Sequence, residues 1–428
     1  MKMKSLALLL LSLGIPAAAF AQGSLTPPAA PTPTMKTLDQ VEARTPIDAV
    51  HTPGDANWEA IISAPGSYYL TGNLGATKPN GIHVTAASVT IDLNGFQITR
   101  SSGSGGDGIT VDAGAHRCAL VHGVITGFAN GVNTDAAARS VSIRRVSVAN
   151  CTNLGLTVGA AGEIADCLAH DNSGTAAIFT GDGSTLTNCA ATGNTTGYAI
   201  QVGSGCTLRD CTVANNLGNF NKISTQSSCT LHNCAAYNNT GFSGISVGTG
   251  CVLTNCTAQG NTSGASVSSG IAAGTGSTLV HCNARGNLSS AASTSLTGMG
   301  INVSTDCTIK DCTVSANKGD GIRVSSNCIV IGNESGTNGN GGDGAGIHAT
   351  GDDNRIEGNN VVENDRGMDV DSAGNIIVRN TASGNGNNWD VVTGNVILVI
   401  SATTAGAVSG NFGGTAPGST DPSANFTY

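Results

Sequence analysis

Charge is scarce in this sequence. Asp, Glu, Lys and Arg make up 11% of 428 residues and aromatic residues only 4%, against a usual charged share of about 25%. Lys and Arg nowhere form a run, which removes the electrostatic footprint of a nucleic-acid or anionic-lipid partner. No segment after the first residues is apolar over the ~20 positions that a membrane span needs. Cys-x2-Cys is absent and His residues do not gather near the cysteines, which disfavours a zinc module. Leu is sparse, and no long amphipathic helical pattern occurs. What is abundant is Gly, with 60 residues, and Cys, with 14. The glycines follow no every-third register, which excludes collagen. An apolar share of 39% with a mean hydropathy of +0.05 argues against wholesale disorder.

Residues 1–21 have the composition of a secretory leader: Lys2 and Lys4, an apolar stretch from Leu6 to Ile15, and Ala19-Phe20-Ala21 before Gln22. The expectation is cleavage after Ala21 and a secreted, periplasmic or cell-surface protein. The formal charge of −9 becomes −11 without Lys2 and Lys4. A Pro-rich spacer follows over 22–34, then a short helix over Met35–Ala43 that ends near Arg44 because Pro46 disfavours helical geometry at Thr45. Residues 45–80 are expected to cap a repeat body that spans 81–400. A strand over Asn395–Ile400 and a Gly/Ser/Thr-rich tail over 401–428 are expected to close the other end.

The repeat body rests on two registers. A Gly-apolar-x-apolar tetrad recurs as GIHV at Gly81, GITV at Gly108, GISV at Gly244, GIRV at Gly321, GIHA at Gly346 and GMDV at Gly367, with other copies between. Degenerate copies surround Ile178, Ile200 and Ile223. The period is about 21 to 30 residues and the copies number about thirteen. The second register pairs cysteines five apart, Cys206/Cys211, Cys229/Cys234, Cys251/Cys256 and Cys307/Cys312, with single copies at Cys167, Cys189, Cys282 and Cys328. Five residues beyond stands an Asn, from Asn172, Asn194, Asn216, Asn239 and Asn261 through to Asn385.

Units this short and Gly-rich cannot hold helices, and their alternating apolar residues suit strands of three to five residues. Successive turns would stack about 4.8 Å apart, so each Asn could bond the Asn above and below and satisfy amides that are costly to bury alone. The fold class expected is all-β: a parallel β-helix of about thirteen turns. A leucine-rich repeat also carries an Asn column, but it needs several Leu per unit and a helical return arm. The cysteines stack vertically as well, at a separation that permits either buried thiols or inter-turn disulfides.

GIxV strands, an Asn ladder, C-T-L-x-[DN]-C-x-x-x-x-N units and the opening APGSYYLTGNL…VTIDLNGFQI resemble the right-handed parallel β-helix proteins of the pectate-lyase-like superfamily. The resemblance covers roughly residues 45–400 and is specific for fold. It implies polysaccharide lyases, hydrolases and epimerases, but also tailspikes and adhesins. The polygalacturonase pattern is met only in fragments. Asn133-Thr134-Asp135 stands about nine turns from Asp352-Asp353 and Asn354-Arg355-Ile356, roughly 43 Å at strand spacing, and the His-Gly partner is missing.

In such a coil the x of each tetrad points outward. That column begins at His83, Thr110 and Asn133, runs through small polar residues, and ends with Arg323, His348 and Asp369. A cation, an imidazole and a carboxylate on consecutive turns are candidate catalytic residues for proton abstraction or hydrolysis. Asp352, Asp353 and Asp371 nearby are candidate ligands for Ca2+. The alternative is a salt-bridge patch of small energetic value. Tyr198, Phe220 and Phe242 recur every 22 residues and could stack under sugar rings, or simply seal a bend. Trp58 and Trp389 are expected in end packing. Two functional readings follow: an exported β-helix that binds and processes polysaccharide, or a non-catalytic surface, adhesion or matrix rod.

Overall fold

The computed structural model describes residues 43–100, 105–264, 267–291, 296–339, 342–401, 408–410 and 421–428. The leader, the Pro-rich spacer and nearly all of the expected helix over Met35–Ala43 lie outside the described residues. From Arg44 onward the chain is one compact unit. Among the described residues every regular element is a strand, and no helix is long and apolar enough to cross a membrane.

The repeat follows from local conformation. One turn runs Ile223–Thr225, Thr230–His232 and Ala235–Tyr237 before the next begins at Ser243–Val247. Each strand pairs in parallel with its equivalent one repeat later, as in Thr207↔Thr230↔Val252 and Ala235↔Thr257. The bend before the second cysteine is set by the Asp or Asn that precedes it. Asn188, Asp210, Asn233, Asn255 and Asp311 all have φ between 52° and 55°, the left-handed region that Asn and Asp tolerate best. Their recurrence turns the chain at the same place in successive units, with His281 (φ 53°) and Gly332 (φ 68°) taking the same region where Asp or Asn is missing.

Sixteen parallel strands, from Trp58–Ile62 to Val408–Gly410, build the tetrad sheet. That exceeds the thirteen expected units because the end turns lack the tetrad glycine: Trp58–Ile62 reads WEAII and Asn387–Val391 reads NNWDV. Inside, apolar residues stack in columns such as Leu186, Leu208, Leu231, Leu253 and Leu279, all fully buried. Each contributes about 1.5–3 kcal/mol on burial.

The asparagine ladder is continuous. Nδ2 of Asn194 donates to Asn216 Oδ1 (2.8 Å) and to the Ala169 carbonyl (3.0 Å), while Asn216 Nδ2 donates to Asn239 Oδ1 at 2.9 Å and to Ala191 O at 2.9 Å. Each Oδ1 also accepts a backbone N–H, as from Asn194 to Asn216 (3.0 Å). The amides are therefore buried with both ends bonded, the condition under which burial is tolerated. The tetrad glycine is needed beside this ladder: a Cβ at Gly244 would lie 2.7 Å from Asn261 Nδ2.

All fourteen cysteines are buried free thiols. Burial pushes Cys151 up to about 11 and Cys167 up to about 12, so these two thiols stay protonated and inert as nucleophiles. Toward the C-terminus both cysteine columns turn into further asparagine ladders. Cys312 N donates to Asn333 Oδ1 (2.9 Å), and the column continues through Asn359 and Asn380 to Asn425. Cys328 N donates to Asn354 Oδ1 (2.8 Å), followed by Asn375 and Asn395. Thiol and amide exchange because each offers an acceptor to the same backbone N–H; Cys206 N points likewise at Cys229 Sγ (3.4 Å). The chain end closes the stack, with Asn425–Thr427 pairing alongside both Thr381–Ser383 and Val399–Ser401.

Candidate functional site

The outward column of the tetrad sheet is realised in register. Asn302, Arg323, His348, Asp369 and Asp390 stand on successive strands. The three candidate catalytic residues are therefore adjacent, but they are not a flat surface patch. His348 and Asp369 are only 6% and 3% exposed.

The reason is Asp320, which the sequence reading did not single out. It precedes the tetrad glycine Gly321, a position whose side chain reaches the outward residue three places later. Asp107–Thr110 and Arg366–Asp369 show the same contact. Asp320 is fully buried. Its Oδ2 lies 2.8 Å from His348 Nδ1 and 3.1 Å from Arg323 Nη1, and its Oδ1 accepts the Ala345 N–H at 2.8 Å. Arg323 Nη1 is also 2.8 Å from His348 Nδ1. On the other side of the ring, His348 Nε2 is 3.0 Å from Asp371 Oδ2 and 3.6 Å from Asp369 Oδ2. Arg366 joins Asp369 and Asp343 and approaches Asp390 at 3.8 Å. The signal for Asp320 was available in the i, i+3 spacing of Asp320 and Arg323. It lacked a rule for which side of the strand that residue takes.

Burial opposes charge on His348. The hydrogen bond that the ring donates to Asp320, the charges of Asp320 and Asp369, and the bond donated to Asp371 outweigh it and hold the imidazole up at about 9. Asp369 is raised above the usual carboxylate range by burial, with Asp371 and Asp390 adding to the effect and His348 and Arg366 opposing it. A perturbed acid and a perturbed base in contact are the pattern of functional sites.

Of the three candidate cation ligands, Asp371 meets His348. Asp352 and Asp353 lie on the bend that follows the His348 strand and are exposed. Asp353 has φ 54° and Asp352 N bonds Ser326 Oγ at 3.3 Å. Among the described residues, the group whose donor atoms converge within 4.8 Å is His348, Asp369 and Asp371. The aromatic residues do form a ladder, with ring centroids 5.0 Å apart for Tyr198–Phe220 and 6.3 Å for Phe220–Phe242. Phe220 and Phe242 are about half exposed. A groove of about 360 Å³ beside Phe242 is lined by Asn219, Thr240 and Ser263. Trp389 is fully buried, whereas Trp58 stacks on His83 at 4.4 Å and 17°.

Residues 130–289 match the family described as a right-handed β-helix region. The chain is a right-handed parallel β-helix. No curated protein matches its sequence. Among solved structures, the β-helix is similar to the A-module of the mannuronan C-5 epimerase AlgE4 from Azotobacter vinelandii, at 14% identity and TM-score 0.45, covering 73% of this chain and 91% of that one. It is similar to the periplasmic alginate epimerase AlgG at 11% identity and TM-score 0.35, covering 74% and 76%. A mannuronic-acid-specific family 6 polysaccharide lyase from human gut microbiota matches at 9% identity and TM-score 0.27, covering 81% of each chain.

Proposed function

We propose that this β-helix is exported and processes a polysaccharide laid along the outward face of the tetrad sheet, with the reaction centred on Arg323, His348 and Asp369. One observation carries the reading: His348 is held between buried Asp320 and the pair Asp369 and Asp371, at a stretch of the outward column where charges of both signs are packed on consecutive turns. An imidazole and a carboxyl with displaced titration, in contact, can hold and move a proton at a sugar ring. Arg323 and Arg366, 21% and 29% exposed, are the cations available to a substrate carboxylate. The Tyr198–Phe220–Phe242 ladder, about five turns or ~24 Å along the stack, would hold sugar rings by stacking. The leader-like segment at 1–21 supports export.

The test is a panel of acidic and neutral glycans, following unsaturated products, reducing ends and exchange of ring protons with solvent. His348→Gln and Asp369→Asn should each lower turnover by about 10²-fold or more, the usual weight of an acid–base group. Phe220→Ala should raise KM several-fold and leave kcat in place. Turnover at wild-type rates in the His348 and Asp369 variants would remove the site. Inactivity of the wild-type protein on every glycan would return the reading to a non-catalytic rod.

A further inference from the structure

The groups around His348 are unbalanced in charge. Among the described residues, four carboxylates, Asp320, Asp343, Asp369 and Asp371, meet two guanidinium groups and one imidazole. Even with the imidazole protonated, this group keeps a net negative charge in a partly buried place. A negative centre of this kind attracts a cation.

Donor geometry makes the cation specific. His348 Nε2, Asp369 and Asp371 present one ligand atom each, all within 4.8 Å of one another. The separations from Nε2 are 3.0 Å to Asp371 Oδ2 and 3.6 Å to Asp369 Oδ2. Two ligands held tetrahedrally about 2.1 Å from one ion stand ~3.4 Å apart, between those two values. The opposite ring nitrogen, Nδ1, faces the fully buried Asp320 carboxylate at 2.8 Å. That is the outer partner which fixes ring orientation in carboxylate–histidine–metal arrangements and raises the basicity of the ligating nitrogen.

We infer that His348, Asp369 and Asp371 form a three-ligand site for a divalent ion of the zinc type, with Asp320 as the positioning residue behind the imidazole. Mixed imidazole and carboxylate donors select a borderline ion over Ca2+, which takes six to eight oxygens. When the ion binds, it replaces the proton on Nε2, which leaves to solvent. Three protein ligands would leave the fourth position of a tetrahedral ion for water or substrate. The ion-binding claim stands on charge and donor geometry. Only its role, bridging to a substrate carboxylate or hydroxyl in place of proton transfer at His348 Nε2, rests on the polysaccharide reading.

The experiment uses the full-length protein stripped with EDTA and titrated calorimetrically with ZnCl2 alone. One Zn2+ per chain is expected. Asp371→Ala, at a side chain 55% exposed, should bind at least 10-fold more weakly while its melting in EDTA matches the wild type. Co2+ should give visible d–d bands without a thiolate charge-transfer band, which separates this site from the buried cysteines. Wild-type affinity in Asp371→Ala, a thiolate band with Co2+, or no binding of either ion would overturn the inference. Full glycan turnover in EDTA would remove the ion's role and leave the polysaccharide reading intact. Zn2+ binding without turnover on any glycan would do the reverse.

Discussion

His83 and His348 stand in the same outward column of the same sheet, eleven strand pairings or about 53 Å apart, and they are different groups. His83 is an open residue: its Nε2 meets Asp112 at 2.8 Å, with side chains 21% and 44% exposed, and its ring is stacked by Trp58. The side chain of His348 is 8% exposed beside an Asp320 side chain that is not exposed at all, with two more carboxylates on its far nitrogen. Column and repeat are common to both. What differs is the residue that neighbouring turns place before the tetrad glycine: Asn80 and Asp107 at one end, Asp320 and Arg366 at the other. A solenoid makes each position repeat, so its chemistry comes from the few places where the repeat is broken by charge.

The sharpest way to break this comparison is to remove the carboxylate at each end. Asp320→Ala strands a buried imidazole and a guanidinium and should cost about 3–5 kcal/mol in urea unfolding. Asp112→Ala breaks an exposed pair and should cost under about 1 kcal/mol. Equal losses would mean that burial does not distinguish the two ends.

The pH dependence sharpens it further. Because His348 is raised to about 9, its contribution is fully present below the unfolded value near 6.5 and is lost as pH climbs through 9. In EDTA, the stability difference between wild type and His348→Gln should therefore shrink by up to about 3 kcal/mol across that window. A difference that stays flat with pH would show that the charged imidazole is not what the carboxylates hold.

Midway between the two ends, Asn239→Ala removes the acceptor for Asn216 N and Nδ2 and the donor to Asn261. A loss of about 2 kcal/mol is expected by chemical denaturation, with no change at either histidine. The smallest effect is expected at Lys222, which takes the tetrad glycine's place and is fully buried, with Nζ 3.3 Å from Gly197 O. Burial lowers it to about 8, so its cost is present below pH 8 and is relieved as pH rises toward 10.5. Lys222→Met should be more stable than wild type by about 1–2 kcal/mol at pH 7, and the advantage should fade by pH 10.5.

Much of this was legible in the residues. Cysteine and asparagine phases at fixed spacing imply stacked turns, since only vertical alignment gives a buried amide both a donor and an acceptor of its own kind. The GIxV alternation placed Arg323, His348 and Asp369 on consecutive strands facing outward. The end turns were less legible because WEAII and NNWDV carry no glycine, and the second and third asparagine ladders were hidden by cysteines that serve the same backbone N–H earlier in the column. Asp352 and Asp353 were close to the site in sequence, but the bend carries them away to solvent.

Winding, period and the identity of the outward column were thus properties of the sequence alone, because they depend on bends and hydrogen bonds that recur within each unit. The burial of His348, the partnership of Asp320 with Arg323 and His348, and the convergence of Asp369 and Asp371 on Nε2 were decided only by tertiary structure. Residues on three successive turns come within 4 Å there, and how far water is excluded from between them depends on all three turns at once.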